Sequence, residues 1–497
     1  MTIKELITIC KPLKILGSEP ESLGSLIQDS RHVSMGDVFI AVRGTQSDGH
    51  DYIDMAISKG AAVIITEEEQ PPSSIKDIYQ LVVKNTRSLL SPLALAFNGN
   101  PQKDITVVGV TGTNGKTTVS TLTYQILMKI GYKTALLGTV EKRIGNKRLP
   151  SKLTTPGALE IAQNLRAMVD AGCTHAIMEV SSHALDQDRA SGIPFKVAAF
   201  TNLSHDHLDY HKTIKAYAKA KKKLFDQLRP DDDAIINNDD EYGSFMSKDS
   251  AASIWKFSFT NNADYPCKII SNTAKHLIID IEGTRVQSPL TGEFNAYNIA
   301  EAYLICLALG CSKSNIVSAL SSAQGAPGRL EKITIANDSS LPVIFVDYAH
   351  TPDALEKVSD TLAKIKKDDQ KLHIIFGCGG NRDVTKRPLM AAIAEKYGDQ
   401  VIVTSDNPRF EDPEKIIDDA VKGLSKPDNA IRESDREKAI QWTIAHADPN
   451  DIILIAGKGH EDYQEINGER HHFDDREIAK NALYKRKSDL KADKEVS

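Results

Sequence analysis

The chain has 497 residues, of which 41% are hydrophobic and 26% charged, with a formal net charge of −6. That length predicts about three domains, and the ordinary composition excludes disordered and fibrous classes. The mildly acidic balance excludes nucleic acid or an anionic membrane as the main partner, because either needs clustered excess Lys and Arg.

No apolar run approaches the roughly 20 residues of a membrane span, and residues 1–10 carry no signal-peptide pattern. The six cysteines are scattered without metal-type pairing, which predicts reduced thiols in a cytoplasmic protein with no membrane insertion. In chain order, residues 1–99 mix short strands and helices around apolar runs at 38–42, 61–66 and 81–83. They end in Phe97-Asn98-Gly99-Asn100-Pro101, a cluster of turn formers that suits a linker. From 105 the pattern changes to strands at 105–110, 134–137, 176–180, 197–202 and 234–237. The helix at 117–131 has Val119, Leu122, Ile126, Leu127 and Ile130 at three- and four-residue spacing. Strands alternating with helices predict a mainly parallel, covered sheet. Residues 253–259, 267–270 and 277–281 read as short antiparallel strands. A second cluster of breakers lies at Gly325-Ala326-Pro327-Gly328. Beyond it, strands at 343–347, 372–376, 400–404 and 452–456 alternate with helices at 352–366, 387–396, 414–424 and 435–447. The charged tail 485–497 is expected to fray. The fold class is therefore α/β in three domains: 1–99, a central 100–327 with a phosphate loop, and a Rossmann-like 328–497.

Chemistry enters at Gly109-Val110-Thr111-Gly112-Thr113-Asn114-Gly115-Lys116-Thr117-Thr118, between a strand and a helix. Glycines let backbone N–H groups approach phosphate oxygens, the helix N-terminus adds partial positive charge, and Lys116 reaches the outer phosphates. Thr117 is placed to give its hydroxyl to Mg²⁺. The common pattern wants glycine where this chain has Val110, so the Gly109–Gly115 spacing is one residue longer. The competing reading, a glycine turn that merely caps an amphipathic helix, leaves Lys116-Thr117 unexplained. Glu179 follows a strand, where ligands of open α/β sheets gather. His205, His207 and His211 cluster after another. Taken alone, those histidines suit ordinary loop contacts better than a zinc site.

The variant Gly112-Thr113-Asn114-Gly115-Lys116-Thr117 resembles the Mur ligase superfamily, which also includes folylpolyglutamate synthases. The resemblance runs in order from about residue 25 to the 480s. It implies ATP and Mg²⁺ as cofactors and makes Lys116, Glu179, His207 and Lys221 catalytic. Thr117, Glu179, His207 and a carbamylated Lys221, four residues before Phe225, would hold metal. Asn295 and Asn298, in Gly292-Glu293-Phe294-Asn295-Ala296-Tyr297-Asn298, would contact the nucleotide, as would Arg329 and Asp347. Without the resemblance, the two asparagines are a helix cap and Lys221 belongs to a solvated basic face.

Asp29-Ser30-Arg31 and Thr45-Gln46-Ser47 resemble the family's uridine-nucleotide-binding domain, which implies contacts from Ser30, Thr45, Gln46 and Ser47 to a UDP-sugar. Thr154, Thr155, Ser181, Gln187 and Arg189 match positions that hold the muramoyl peptide, although Leu153 stands where the family often has Asn. Asp406-Asn407-Pro408-Arg409 resembles the members that add diaminopimelate. An amino acid with two carboxylates calls for guanidinium groups, a role suited to Arg409 and Arg387, with Gly457 and Glu461 at the distal ammonium end. The implied partners are UDP-N-acetylmuramoyl-L-alanyl-D-glutamate and meso-2,6-diaminopimelate, acting on a monomer. Lysine-adding relatives lack that arginine, and folylpolyglutamate synthases lack the Asp-Ser-Arg domain. A nucleotide-binding regulator without ligase activity and a metal-dependent hydrolase are the readings from other classes.

Overall fold

The computed structural model describes residues 1–44, 47–69, 78–145, 147–335 and 340–496. The chain divides into two compact units, Met1–Tyr265 with Glu301–Cys311, and Pro266–Ala300 with Ser312–Ser497. In the first unit, Lys14–Leu16, Tyr79–Val82, Val63–Thr66, Val38–Ile40 and Leu26–Ile27 line up in that order as one sheet. Only the Lys14–Leu16 edge runs antiparallel.

The larger sheet of this unit centres on Thr106–Thr111, flanked in parallel by His175–Glu179 and Phe195–Phe200. Thr134–Leu137 extends one side and Asp233–Asn237 the other, also in parallel. Every residue of Thr134–Leu137 is buried, and so are all but the first of Thr106–Thr111, as a sheet covered on both faces requires. A hairpin, Lys142–Ile144 with Lys147–Leu149, closes one edge antiparallel. On the opposite side, beyond Asp233–Asn237, Ser253–Ser258 continues the sheet and pairs with that strand in parallel. That corrects the antiparallel expectation for 253–259. One apolar cluster runs from the small sheet through the helices Thr86–Phe97 and Ala158–Asp170 into the large one.

In the second unit, Tyr265–Asn272, Leu277–Ile281 and Thr284–Ser288 form an antiparallel meander. The C-terminal sheet runs Glu331–Ile333, Val343–Asp347, Ile452–Ala456, Leu372–Cys378, Gln400–Ser405 and Ile431–Glu433, parallel except at its first strand. Its side chains alternate between two cores with the period of a strand. Phe345, Ile374, Phe376 and Leu454 pack under the helices Pro352–Ile365, Lys386–Tyr397 and Pro413–Val421. Ile344, Ile375, Ile402 and Ile455 pack under Arg436–His446 and Asp475–Val496.

That last helix overturns the expectation of a frayed tail. Its sequence is rich in Lys, Ala, Asp and Glu and free of Gly and Pro, so propensity carries it, while Ala479, Leu483 and Leu490 anchor one side. All six cysteines are buried. Among the described residues no helix is long and apolar enough to cross a membrane.

Candidate active site

The strand Thr106–Thr111 runs into a glycine turn and then the helix Lys116–Ile130. Two glycines make the turn possible. Gly115 sits left-handed at φ 86° where the helix begins, and Gly112 has φ 149°, with room for no side chain, since a Cβ would lie 1.9 Å from Thr201 Oγ1. The turn is laced to the neighbouring strand end. Thr113 N–H donates to Asn202 O at 2.8 Å, Asn114 N–H to Asn202 Oδ1 at 3.0 Å, and Thr201 Oγ1 to Asn114 O at 2.6 Å. Thr118 is buried behind it.

Two lysines face this turn. Lys116 Nζ donates to the carbonyls of Gly112 and Thr113 at 2.9 and 2.8 Å, and Lys221 Nζ donates to Gly112 O at 2.7 Å. Lys221 is 1% exposed and lies 4.6 Å from the centre of the Tyr217 ring. Burial, reinforced by the Lys116 charge and opposed by Asp206, pushes its amine well below the usual lysine range. Among the lysines around 219–223, the burial singles out Lys221, since Lys222 and Lys223 turn to Asp226 and Asp188. Tyr217 shares a hydroxyl contact of 3.2 Å with Thr113.

Glu179 closes the other side. Its carboxylate, 1% exposed, accepts from Thr117 Oγ1 at 2.9 Å, from Thr139 N–H at 2.8 Å and from Thr139 Oγ1 at 2.8 Å. Thr139 was not signalled by the sequence: Gly138-Thr139 follows a strand as an unremarkable turn. It also reaches Thr154, the two hydroxyls being 3.1 Å apart. Thr155 Oγ1 donates to Glu179 O at 2.9 Å and accepts from Ser181 N–H at 2.9 Å. Arg189 donates to Gln187 Oε1 at 2.6 and 3.0 Å and to Thr155 O at 3.1 Å. Thr117, Glu179, Thr154, Thr155, Ser181, Gln187 and Arg189 thus form one continuous polar seam.

His207 is partly exposed at φ 54°, 3.6 Å from Asp206. Its ring meets His183, with centroids 4.9 Å apart, and His183 in turn meets Tyr210 and His211. Burial lowers the affinity of His183 and His211 for protons. Among the described residues no group of three His, Cys, Asp or Glu side chains is placed to hold a metal.

Ser30 is buried, its hydroxyl 3.3 Å from Met55 Sδ, next to an Asp29 carboxylate that grips Arg31. Ser47 O accepts from Gly44 N–H at 2.9 Å. Thr45 and Gln46 lie outside the described residues.

In the second unit, Asn295 Nδ2 donates to Thr291 O at 2.7 Å and Asn298 Nδ2 to Asn295 Oδ1 at 3.0 Å, at the start of the helix Glu293–Ala308. Asp347 accepts from the backbone N–H groups of Leu330 and Ala349 at 2.6 and 2.8 Å. Burial raises its carboxyl, and the Arg329 charge opposes the rise. Arg329 lies over the Tyr348 ring at 5.0 Å. Tyr348 N–H donates to Gly328 O at 2.9 Å, and Gly457 N–H to Asp347 O at 3.0 Å. A Cβ on Gly328 would sit 2.1 Å from His460 N, and one on Gly459 2.6 Å from Tyr348 Cβ.

The Asp406–Arg409 string is built around Lys458, which is wholly buried. Its Nζ donates to Asn407 Oδ1 at 2.9 Å and lies 3.3 Å from Asp406 Oδ1. Asn407 Nδ2 then donates to Glu461 Oε2 at 3.1 Å. Burial and the Asp406 charge raise the Glu461 carboxyl. Arg409 takes φ 53°, donates Nη1 to Gly380 O at 2.8 Å, and lines a cleft of about 710 Å³ with Pro408 and Phe410. Arg387 is 2% exposed and committed to Glu411 at 2.8 Å and Asp419 at 3.0 Å. Beside Arg409 stands the exposed Arg382. A Cβ on Gly379 would lie 2.9 Å from Arg409 Nη1 and 3.8 Å from Arg382 Cγ.

Strand, glycine turn and Lys-Thr helix start, with a carboxylate from the adjacent strand end, define the class: an α/β protein with a phosphate loop. The chain belongs to the Mur ligase family. Residues 25–98 match the description "Mur ligase family, catalytic domain", 110–306 "Mur ligase middle domain", and 328–459 "Mur ligase, glutamate ligase domain". It is 43% identical to the UDP-N-acetylmuramoyl-L-alanyl-D-glutamate–2,6-diaminopimelate ligase of Cytophaga hutchinsonii, over 97% of this chain and 99% of that one. The Bacillus cereus protein of the same name is 40% identical over 97% and 98%. A solved structure of such a ligase aligns over 95% of this chain and 98% of its own, with a TM-score of 0.71 at 34% identity.

Proposed function

We propose that the chain is an ATP-dependent amide ligase that joins meso-2,6-diaminopimelate to the D-glutamate side-chain carboxylate of UDP-N-acetylmuramoyl-L-alanyl-D-glutamate. The observation that carries the reading is the seam around Glu179, which runs without a break from the phosphate turn to the residues matched to the muramoyl peptide. Near 40% identity over almost the whole chain to ligases of that name supports the substrate pair. The division of labour we assign is sugar nucleotide to 1–99, ATP to 100–327 and amino acid to 328–497.

In the first step an oxygen of the glutamate carboxylate attacks the γ-phosphorus of ATP, the bond to the β-phosphate oxygen breaks, and ADP leaves an acyl phosphate. In the second the amine of diaminopimelate attacks the acyl carbon, loses a proton, and inorganic phosphate departs. The turn 112–115 and Lys116 hold the phosphates, so their work is positioning and charge stabilisation. Asn295, Asn298, Arg329 and Asp347 contact the nucleotide, and Ser30, Thr45, Gln46 and Ser47 the UDP-sugar. Mg²⁺ would neutralise phosphate charge. The hard oxygens of Thr117 and Glu179, already in contact, fit it, as would those of a carbamate on Lys221, whose burial favours the neutral amine, the form that reacts with CO₂. His207 completes that set. Arg409, with Arg382 beside it, faces the second carboxylate of the amino acid, and Asn407, Gly457 and Glu461 its distal amine.

The test is ADP release in the presence of the UDP-dipeptide, comparing meso-diaminopimelate with lysine. Release with diaminopimelate and little with lysine is expected. Equal release with both would overturn the assignment of the amino acid, and release that ignores either amine would overturn the ligase reading.

A further inference from the structure

The turn Gly138-Thr139 belongs to none of the phosphate, peptide or amino-acid motifs, yet it shapes the Glu179 carboxylate from two directions. Thr139 meets both carboxylate oxygens, its N–H donating to Oε1 and its hydroxyl to Oε2, each at 2.8 Å. Gly138 leaves the space in which Oε1 lies, since a Cβ there would be 2.5 Å from that oxygen. Neither a rotation of the carboxylate nor a side chain at 138 is compatible with this seat.

The Thr139 hydroxyl has one proton and two acceptors within reach, Glu179 Oε2 at 2.8 Å and Thr154 Oγ1 at 3.1 Å, of which the charged one draws it more strongly. Thr117 likewise donates to Glu179 Oε2. Thr139 therefore stands between the carboxylate and Thr154 as the donor they share.

From this arrangement we infer that Thr139 is a positioning residue: it fixes the orientation of Glu179 and transmits that orientation to Thr154, so that the phosphate side and the peptide side of the site are set together. The inference rests on the reading of the site given above.

The experiment compares Thr139→Val, which keeps the N–H and removes the hydroxyl, with Thr139→Ser and Gly138→Ala. ADP release is measured while UDP-dipeptide and ATP are varied separately. Calorimetric binding of the UDP-dipeptide is followed without ATP or Mg²⁺, and melting temperature serves as a check on folding. Thr139→Val is expected to lower kcat/KM for the UDP-dipeptide about ten- to a hundred-fold, the range for a hydrogen bond to a charged group. It should also weaken UDP-dipeptide binding in the absence of nucleotide, and Thr139→Ser should restore both to within about three-fold. Gly138→Ala should reproduce the loss at a different atom, which decides the matter if Thr139→Val does not fold. A Thr139→Val enzyme with wild-type kinetics and dipeptide affinity would overturn the inference, as would Thr139→Ser failing to rescue. If wild-type enzyme itself neither binds the UDP-dipeptide nor releases ADP with it, the proposed function fails instead.

Discussion

Removing the carboxylate of Asp475 should destabilise the second unit and, with it, the loops that we assign to the amino acid. Arg436 is 1% exposed and Asp475 wholly buried. They pair in two parallel bonds of 2.8 Å, through Nε and Nη2. The remaining reach of the guanidinium goes to Ser405 O at 3.3 Å and Ala456 O at 3.0 Å, the carbonyls just before Asp406 and Gly457. In Asp475→Ala the guanidinium stays behind as a buried, uncompensated charge, which costs about 3–5 kcal/mol. For a body of this size that corresponds to a fall in melting temperature on the order of 10 °C. Replacing both partners, Arg436→Met with Asp475→Leu, leaves no orphaned charge and should recover most of the loss. Calorimetric melting of wild type, single and double variants measures this directly. Well below melting, Asp475→Ala should raise KM for diaminopimelate more than KM for ATP. A single variant that loses less than about 1 kcal/mol, or a double variant no better than the single, would refute the reasoning.

Lys116→Ala should reduce ADP release at least about a hundred-fold with little change in melting temperature, and near-normal turnover would refute its role. Gly112→Ala forces a Cβ against Thr201 in a backbone region side chains avoid, so it should abolish fluorescent-ATP binding in a titration while the chain still folds. Glu301 is buried, and desolvation raises its carboxyl well above its ordinary value of 4.5. The folded form therefore holds a proton the unfolded form has released, and stability falls as pH rises from 4.5 toward the raised value. Glu301→Gln should match wild type near pH 5 and exceed it near pH 8 in urea midpoint, and a gap independent of pH would contradict this. Arg382→Ala should raise KM for diaminopimelate without changing stability, whereas Arg387→Ala should chiefly lower the melting point, because its guanidinium bridges Glu411 and Asp419.

The alternation of strands and helices was legible because parallel strands buried on both faces read as unbroken apolar runs, as at Thr134–Leu137 and Ile452–Ala456. The direction of Ser253–Ser258 was misjudged because its side chains pass from exposed to buried along the strand, a pattern that does not tell which way the partner runs. The phosphate turn was legible because chemistry needs those residue types at that spacing. Thr139 was not, since one threonine after a strand carries no signature until the fold sets it against Glu179. Arg387 and Arg382 show the same limit: a motif names guanidiniums, but the helix Lys386–Tyr397 decides that Arg387 turns inward.

The glycines at 328 and 459 have a mechanical consequence. They let three stretches of main chain, ending near Arg329, Tyr348 and His460, cross at distances that admit no side chain, and the crossings are pinned by the Gly328–Tyr348 and Asp347–Gly457 bonds. Such a knot has no slack, so a shift imposed at Arg329 is felt at Glu461 as a displacement of the same rigid piece. An alanine at either glycine would therefore disturb together the groups of this unit that we assign to the nucleotide and to the amine.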